Sequence, residues 1–513
     1  MNSKDSSKQA LFSLSNTSCA VEFGKQLQEL GWKIIATDET VTLLEKEGTA
    51  CISIGEYTGI QEDYGIPPTL HPKIEMALTG TSDERIDLVY DIPYGSEVGN
   101  DVGGLTLLAL AAKGGRIPVM THEDMQRVLS ELKNGSGSVS NQLLQELHDK
   151  THHEIANHYL DLMQSAASGT HEIIVGQHVR KLANGENPYQ QPCVFYQTDA
   201  DDLGLATFEL RSKICPCFTN MADFDSILET LTLLTQAFQA NFNKVPFISI
   251  ASKHGNPCGV AVDWKAPHVT IQKALFGSPL AVWGGEFISN FEIDEEAADL
   301  LIKSSRRKET FGKEQWLLDI SGAPCFSEKA LELMQKRESR KILTHPQLQN
   351  PHMRSSRWAY RHVRGGFLKQ PIADFILSAK NIMWNSEALE GQVYDDMLIA
   401  WAVAFTSFHG GNEVALAKRG ALQGCAGGPS TVQAVQTTIQ RATDVGHDLE
   451  DSVFAADAFF PFTDAPELLE KVGCCAGVVP LGSKHDADVK DYFLEHNVRM
   501  AYLTADIRGF CRH

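Results

Sequence analysis

Strand-like and helix-like hydrophobic patterns alternate from the start of this chain, and that alternation restricts the fold more than any other feature. Ala10-Leu11-Phe12-Ser13-Leu14 reads as a strand, Cys19 to Leu30 carries apolar residues at helical spacing, and Trp32 to Ala36 reads as a second strand. The βα pattern continues to about Leu132. It predicts an α/β fold with a parallel sheet covered by helices on both faces. Asn134-Gly135-Ser136-Gly137-Ser138 reads as a flexible loop and Asn141 to Ser168 as one or two helices. From about Ile173 strands and helices mix again, around Gly-rich turns at Gly284-Gly285, Gly410-Gly411 and Gly427-Gly428. No internal repeat is visible. Ser304 to Lys313 and Lys336 to Lys341 read as charged helical stretches on the surface. The 513 residues suffice for roughly three domains of ~150 residues each.

A formal net charge of -20 argues against nucleic acid or an anionic membrane as the main partner. The first residues, Met1 to Gln9, are polar and lack an apolar leader core, and no apolar run is long enough to span a bilayer, so the cytoplasm is the expected location. The 11 cysteines are dispersed, with no C-x-x-C pair. They read as reduced thiols, and no metal site is expected. His148, His152, His153 and His158 fall in one helical stretch without supporting thiol or carboxylate spacing, so they read as solvated helix faces.

The chemistry concentrates at Lys253-His254-Gly255-Asn256-Pro257-Cys258-Gly259, which follows the apolar run Val245 to Ala251. A strand that runs out into a Pro/Gly turn places Lys253 and His254 at its C-terminal end, where open α/β sheets build sites. His exchanges protons near neutral pH, and Lys supplies a fixed charge for a developing oxyanion. An isolated Lys-His pair would read as surface. The whole heptapeptide, however, resembles the signature of the aminoimidazole carboxamide ribonucleotide (AICAR) formyltransferase family. Further landmarks follow in order: Gly185-Glu186-Asn187-Pro188-Tyr189-Gln190, Val282-Trp283-Gly284-Gly285 with Asn290, Asn412, Asp457 to Asp464, and the terminal Arg508-Gly509-Phe510-Cys511-Arg512-His513.

The complete family joins an IMP cyclohydrolase to an AICAR formyltransferase. The resemblance implies a methylglyoxal-synthase-like domain over residues 1–168, and over 169–513 a transferase region of two cytidine-deaminase-like subdomains. It implies a homodimer, with 10-formyltetrahydrofolate as co-substrate and AICAR as acceptor. Carried onto this chain, it makes Lys253, His254 and Asn412 catalytic. Asn187, Asn256, Trp283, Gly284, Asn290, Phe459, Phe462, Asp464, Arg508 and Phe510 would bind substrate or folate.

Departures from the family pattern are as informative. Ala183 and Asn184 replace an Arg and a Tyr, and Thr431 and Thr463 each replace an Arg, which removes bidentate contacts to phosphate or carboxylate. The first half departs further. Thr17 replaces a Lys, Asp38-Glu39 replaces the Gly-Gly of a phosphate loop, and Ile66 and Pro68 replace an Arg and a Lys. Two carboxylates there repel phosphate. Ser13, Ser15, Thr69, Tyr94, Asp101 and Lys113 remain as vestiges of the cyclohydrolase, and Asp101 with Lys113 is a conceivable residual proton-transfer pair. The expectation is a formyltransferase that has lost ring closure. The alternatives are a formyltransferase for another amine, or a non-catalytic regulatory paralogue.

Overall fold

The computed structural model describes residues 7–60, 69–80, 84–135, 137–165, 171–198 and 200–507. The chain divides into two compact units, residues 1–174 and 175–513.

The first unit is built on a five-stranded sheet of β1 (Gln9–Leu14), β2 (Lys33–Ala36), β3 (Ile52–Ser53), β4 (Ile86–Ile92) and β5 (Ile117–Val119), in the order β3-β2-β1-β4-β5. Every pairing is parallel. The helices are α1 (Ala20–Glu29), α2 (Asp38–Lys46), α3 (Ile54–Thr58), α4 (Pro72–Thr79), α5 (Val102–Lys113), α6 (His122–Asn134) and α7 (Asn141–Ser165). Alternation along β1 explains the layering. Ala10, Phe12 and Leu14 pack beneath α1, α6 and α7, while Leu11 points into a second core under α4 and α5. Strands buried on both faces are what parallel crossovers require. The connections leave β1 in one direction and enter β4 from the other, so the sheet has its topological switch point between β1 and β4.

Residues 141–165 form one helix, and two of its histidines face inward. His148 meets the Arg116 carbonyl at 2.8 Å, and His158 is buried, with its Nε2 3.4 Å from the Asp101 amide. The expectation of purely solvated helix faces fails because α7 packs its length against the unit.

The second unit is dominated by a 12-stranded mixed sheet. Its connectivity is duplicated. The first half runs helix Phe218–Phe242, hairpin Phe247–Lys253/Asn256–Asp263, helix Pro267–Leu275, then strands Gly285–Ser289, Leu318–Ala323 and Lys341–Thr344. The second runs helix Gly391–Thr406, hairpin Val414–Lys418/Ala421–Ala426, helix Thr431–Asp444, then strands Val453–Ala456, Ala476–Pro480 and Arg499–Leu503. In both, the third strand joins the hairpin antiparallel and the next two add in parallel. The halves meet where Ala261 pairs with Ala421. The two long leading helices share one core on one face of the sheet, and Thr230 and Thr406 hydrogen-bond between them at 2.8 Å. The other face carries a separate core for each half. The duplication lies in topology, which is why no repeat shows in the sequence.

The charged stretches also need correction. Ser305–Phe311 is helical, but Arg307 is buried, its guanidinium 4.7 Å from the Trp316 ring centroid and its Nη1 bonded to the Lys313 carbonyl at 3.0 Å. Residues 336–340 form a turn between helix Glu328–Gln335 and strand Lys341–Thr344, with Arg340 buried in it.

Candidate active site

Lys253 is the last residue of its strand, and Asn256 begins the next, directly opposite it. His254 and Gly255 alone make the turn, with φ of 52° and 69°. Two successive left-handed residues are the I′ pattern that suits the twist of a two-residue hairpin. The turn anticipated at Pro257 lies two residues earlier. Pro257 to Gly259 belong to the second strand, where a bulge interrupts the ladder and tolerates the proline. Gly259 is required: a Cβ there would sit 1.7 Å from the Ala274 carbonyl oxygen of the helix packed beneath. The result is an exposed His254 on a rigid turn beside a half-buried Lys253.

The turn is tied to the loop that carries Asn412. The Phe408 amide donates to Asn256 Oδ1 at 2.8 Å, and Gly255 packs against the Phe408 ring, leaving a built Cβ 2.8 Å from its tip. Asn412 is itself left-handed, with φ of 46°. Its Nδ2 donates to the Gly428 carbonyl at 2.9 Å, and its Oδ1 accepts from Thr431 Oγ1 at 3.1 Å. Thr431 thus anchors Asn412. In the same loop Glu413 is buried and accepts from His409 Nδ1 at 2.7 Å. Asp457 follows the neighbouring strand. It is fully buried, and its two carboxylate oxygens have no partner among the described residues. Burial, then the nearby Glu413, push its carboxyl up to about 7.

Lys253 Nζ donates to the Gly284 carbonyl, and Gly284 is left-handed at φ 67°. Next to it Trp283 is exposed, with Lys313 Nζ 5.1 Å from its ring centroid. Asn290 is buried; it accepts from the Ile248 amide at 2.7 Å and donates to the Pro246 carbonyl at 2.9 Å, which fastens the start of the hairpin. Phe460 is core, Phe459 is half-buried, and Phe462 is exposed with its ring 5.2 Å from that of His485. Asp464 opens helix Asp464–Lys471 and accepts from the adjacent Ala465 amide at 2.9 Å. Asn187 closes an exposed local turn onto Gln190. Arg508 and Phe510 lie outside the described residues, as do Ile66 and Pro68.

Two carboxyl groups beside Lys253 were missed in the sequence. Glu286 sits opposite Ser252 in the sheet, is buried, and accepts from Ser252 Oγ at 3.1 Å. Asp223, on the leading helix, lies within electrostatic reach of Glu286, His254 and Lys253, and burial first of all pushes its carboxyl up. The available signal was a lone carboxylate inside the otherwise apolar strand Gly285–Ser289.

In the first unit, Ser13, Ser15, Tyr94 and Asp101 gather at the β1/β4 switch point. Ser13 pairs with Asp91 in register, and Ser15 Oγ reaches the Pro93 carbonyl at 3.4 Å. Asp101 caps α5 through the Gly104 amide at 2.8 Å and also accepts from the Tyr94 amide at 2.9 Å. Lys113 is elsewhere. It is the last residue of the 12-residue α5, while Asp101 precedes the first. At 1.5 Å per residue they are roughly 18 Å apart, so they cannot form a proton-transfer pair. Thr69 is buried just ahead of α4. Asp38 and Glu39 occupy the first turn of α2.

The sequence profile of the AICARFT/IMPCHase bienzyme matches residues 115–441. The chain belongs to this family. The bifunctional purine biosynthesis protein PurH of Neisseria gonorrhoeae is 28% identical over 557 residues, covering 99% of each chain. Its counterpart in Neisseria meningitidis serogroup A is 27% identical over 556 residues, also covering 99% of each. Among solved structures, that of ForH is 26% identical over 31% of this chain and 98% of its own, with a TM-score of 0.28. Membership makes this an enzyme-family fold whose members pair formyl transfer with ring closure. Among the described residues no helix is long and apolar enough to cross a membrane, and no group of three or more His, Cys, Asp or Glu side chains is placed to hold a metal ion.

Proposed function

We propose that this chain transfers a formyl group from 10-formyltetrahydrofolate to the 5-amino group of AICAR in purine biosynthesis, and that residues 1–168 no longer close the purine ring. The observation that carries the transfer is the exposed Lys253-His254 turn, held rigid by its hairpin and bonded through Asn256 to the loop of Asn412. The acceptor amine is a weak nucleophile. As its nitrogen bonds to the formyl carbon, His254 takes its proton. Lys253 faces the oxyanion that forms, and its bond to Gly284 fixes its ammonium in place. The bond to the folate nitrogen then breaks, and that nitrogen takes up a proton. Trp283, Phe459 and Phe462 supply apolar walls for the two ring systems. The homodimer is carried over from the family resemblance, and the cytoplasmic location from the sequence's lack of an apolar leader core or bilayer-spanning run.

The loss of ring closure is supported by the first unit's geometry. Phosphate capture needs free backbone donors and cations at the strand-helix turns. At the end of β2 the first turn of α2 presents Asp38 and Glu39, and Lys113 stands at the far end of α5.

A second reading, transfer to an amine other than AICAR, is favoured by one observation. Thr431 stands where the family has an arginine able to contact phosphate or carboxylate, and its hydroxyl is committed to Asn412. The deciding experiment supplies purified protein with 10-formyltetrahydrofolate and AICAR and follows tetrahydrofolate release. Turnover that is absent with AICAR but appears with an uncharged aminoimidazole would select the second reading.

A further inference from the structure

Cys19 and His122 have no part in the chemistry above, yet the first unit brings them together from opposite ends of its sequence. Cys19 directly precedes α1, at the C-terminal end of β1, and His122 opens α6 beyond the end of β5. Between those strands runs β4, where Tyr90 pairs with Phe12 on one side and Val119 on the other. Cys19 Sγ lies 3.6 Å from His122 Nδ1 and 3.9 Å from the Ser18 hydroxyl. A thiol with an imidazole nitrogen in hydrogen-bond range is the arrangement of a nucleophile and its base. The sulfur is not spent on capping the helix, and the N-terminal end of the 10-residue α1 favours an anion there. Among the described residues no other cysteine has a histidine at its sulfur.

Two polar atoms beside the pair lack partners. His122 Nε2 and the Tyr90 hydroxyl are both buried and bonded to nothing among the described residues, and Tyr90 as a whole is 0% exposed. Buried polar atoms as a rule are hydrogen-bonded, so two orphans at one place mark it as built for an incoming polar group. The ring of His122 is held edge-on by those of Phe23 and Tyr90, with centroids 6.1 and 6.3 Å away. Tyr90 also senses the sulfur: burial first, then the Cys19 thiol, push its phenol up. With Nε2 unbonded, neither ring tautomer of His122 is fixed from behind. The thiol can donate to Nδ1, or a protonated Nδ1 can donate to the sulfur.

We propose that Cys19 and His122 form a thiol site that reacts with hydroperoxides. His122 Nδ1 takes the thiol proton as the sulfur attacks one peroxide oxygen. The O–O bond breaks, the sulfur is oxidised to the sulfenic acid, and the peroxide is reduced. The departing oxygen receives the proton from His122. One thiol and one hydroperoxide thus give one sulfenic acid and one alcohol, or water from hydrogen peroxide. The class of substrate follows from the surroundings. The sulfur is half-buried beside aromatic rings, which suits a small ligand, and the hydroxyls of Ser18 and Tyr90 are donors for its oxygens. None of this depends on formyl transfer.

The test treats the full-length chain with dilute hydrogen peroxide, traps sulfenic acid with dimedone, and follows all 11 cysteines by peptide mass spectrometry. Exposure alone would rank Cys325 first, since it is exposed and the other described cysteines are buried or half-buried. Cys19 is expected to be trapped about tenfold or more faster than Cys325. His122→Phe keeps a ring in place but removes the base, and should bring Cys19 down to the rate of Cys325 or below. Tyr90→Phe removes one hydroxyl and should slow trapping at Cys19 about threefold. Equal rates at Cys19 and Cys325 in the wild type overturn the proposal, whether or not any variant folds. An unchanged Cys19 rate in folded His122→Phe overturns the pairing of thiol and base, and an unchanged rate in Tyr90→Phe overturns the part of the hydroxyl. Rapid labelling of Cys19 by N-ethylmaleimide with no oxidation by peroxide overturns the choice of substrate class.

Discussion

Asp91 makes the first unit's stability depend on pH in a direction opposite to that of a salt-bridged acid. It lies at the end of β4, 1% exposed, with Oδ2 lacking a partner among the described residues. Burial is the main cause that pushes its carboxyl from 3.8 to about 7; a hydrogen bond with Ser13 opposes the rise and Asp101 adds to it. A folded-state value above the unfolded one means that the native protein binds the proton more tightly. The stabilisation is then fully present below pH 3.8 and is lost as pH rises through 7. A rise of about three units corresponds to ~4 kcal/mol in all, of which about 2–3 kcal/mol falls between pH 5 and pH 8. Asp91→Asn keeps the shape and cannot ionise. We expect the wild type to lose about 2–3 kcal/mol more than the variant between those two pH values. The readout is hydrogen-exchange protection in peptides spanning β1 and β4, corrected for intrinsic rates, which isolates this unit from the other. Parallel pH dependence in the two proteins would show that Asp91 is already ionised in the fold and refute the reasoning.

Four further outcomes are expected. His254→Ala and Lys253→Ala should each lower formyl transfer, His254→Ala by about 10²–10⁴-fold, with the far-ultraviolet spectrum unchanged; near-native turnover in either would remove its assigned role. Gly259→Ala should destabilise the second unit by more than about 2 kcal/mol in urea unfolding, because its methyl would overlap the Ala274 carbonyl; a smaller loss would mean that helix Pro267–Leu275 can shift. Thr431→Val should free Asn412 and reduce kcat more than it changes folding stability, whereas an equal loss of both would make the bond purely structural. With formylated AICAR supplied directly, inosine monophosphate should not form at an enzyme-dependent rate; formation that disappears in Lys113→Ala would restore the bifunctional assignment.

The sequence revealed the first unit's architecture well, because parallel βα units leave long apolar periods, and β1, α1 and β2 fall within a residue or two of where those periods put them. It also put Lys253 and His254 at the end of a strand, although it misplaced the bend. The two left-handed residues are His254 and Gly255, and the more conspicuous Pro257 lies inside a bulged strand. What stayed hidden depends on contacts distant in the chain. Asp223 and Glu286 are 63 positions apart and come within electrostatic reach only because the leading helix crosses the sheet. Asp101 and Lys113 lie 12 positions apart in the sequence, yet they stand at opposite ends of one helix. Arg307 sits in a run of charges and still turns inward, because Trp316 offers it a ring face.

The duplicated sheet carries two versions of one turn. The turn equivalent to Lys253-His254-Gly255 is Lys418-Arg419-Gly420, where Arg419 and Gly420 repeat the two positive φ angles at 51° and 74°. There the amides of Arg419 and Gly420 both donate to the Asp396 carboxylate, and Lys418 is paired with Asp448 at 2.7 Å. The same device has been built twice and stoppered once. In the second turn the amides and the ammonium are occupied within the fold, so there the hairpin serves structure alone. In related chains the second turn is therefore expected to drift in every position except the glycine that makes the bend.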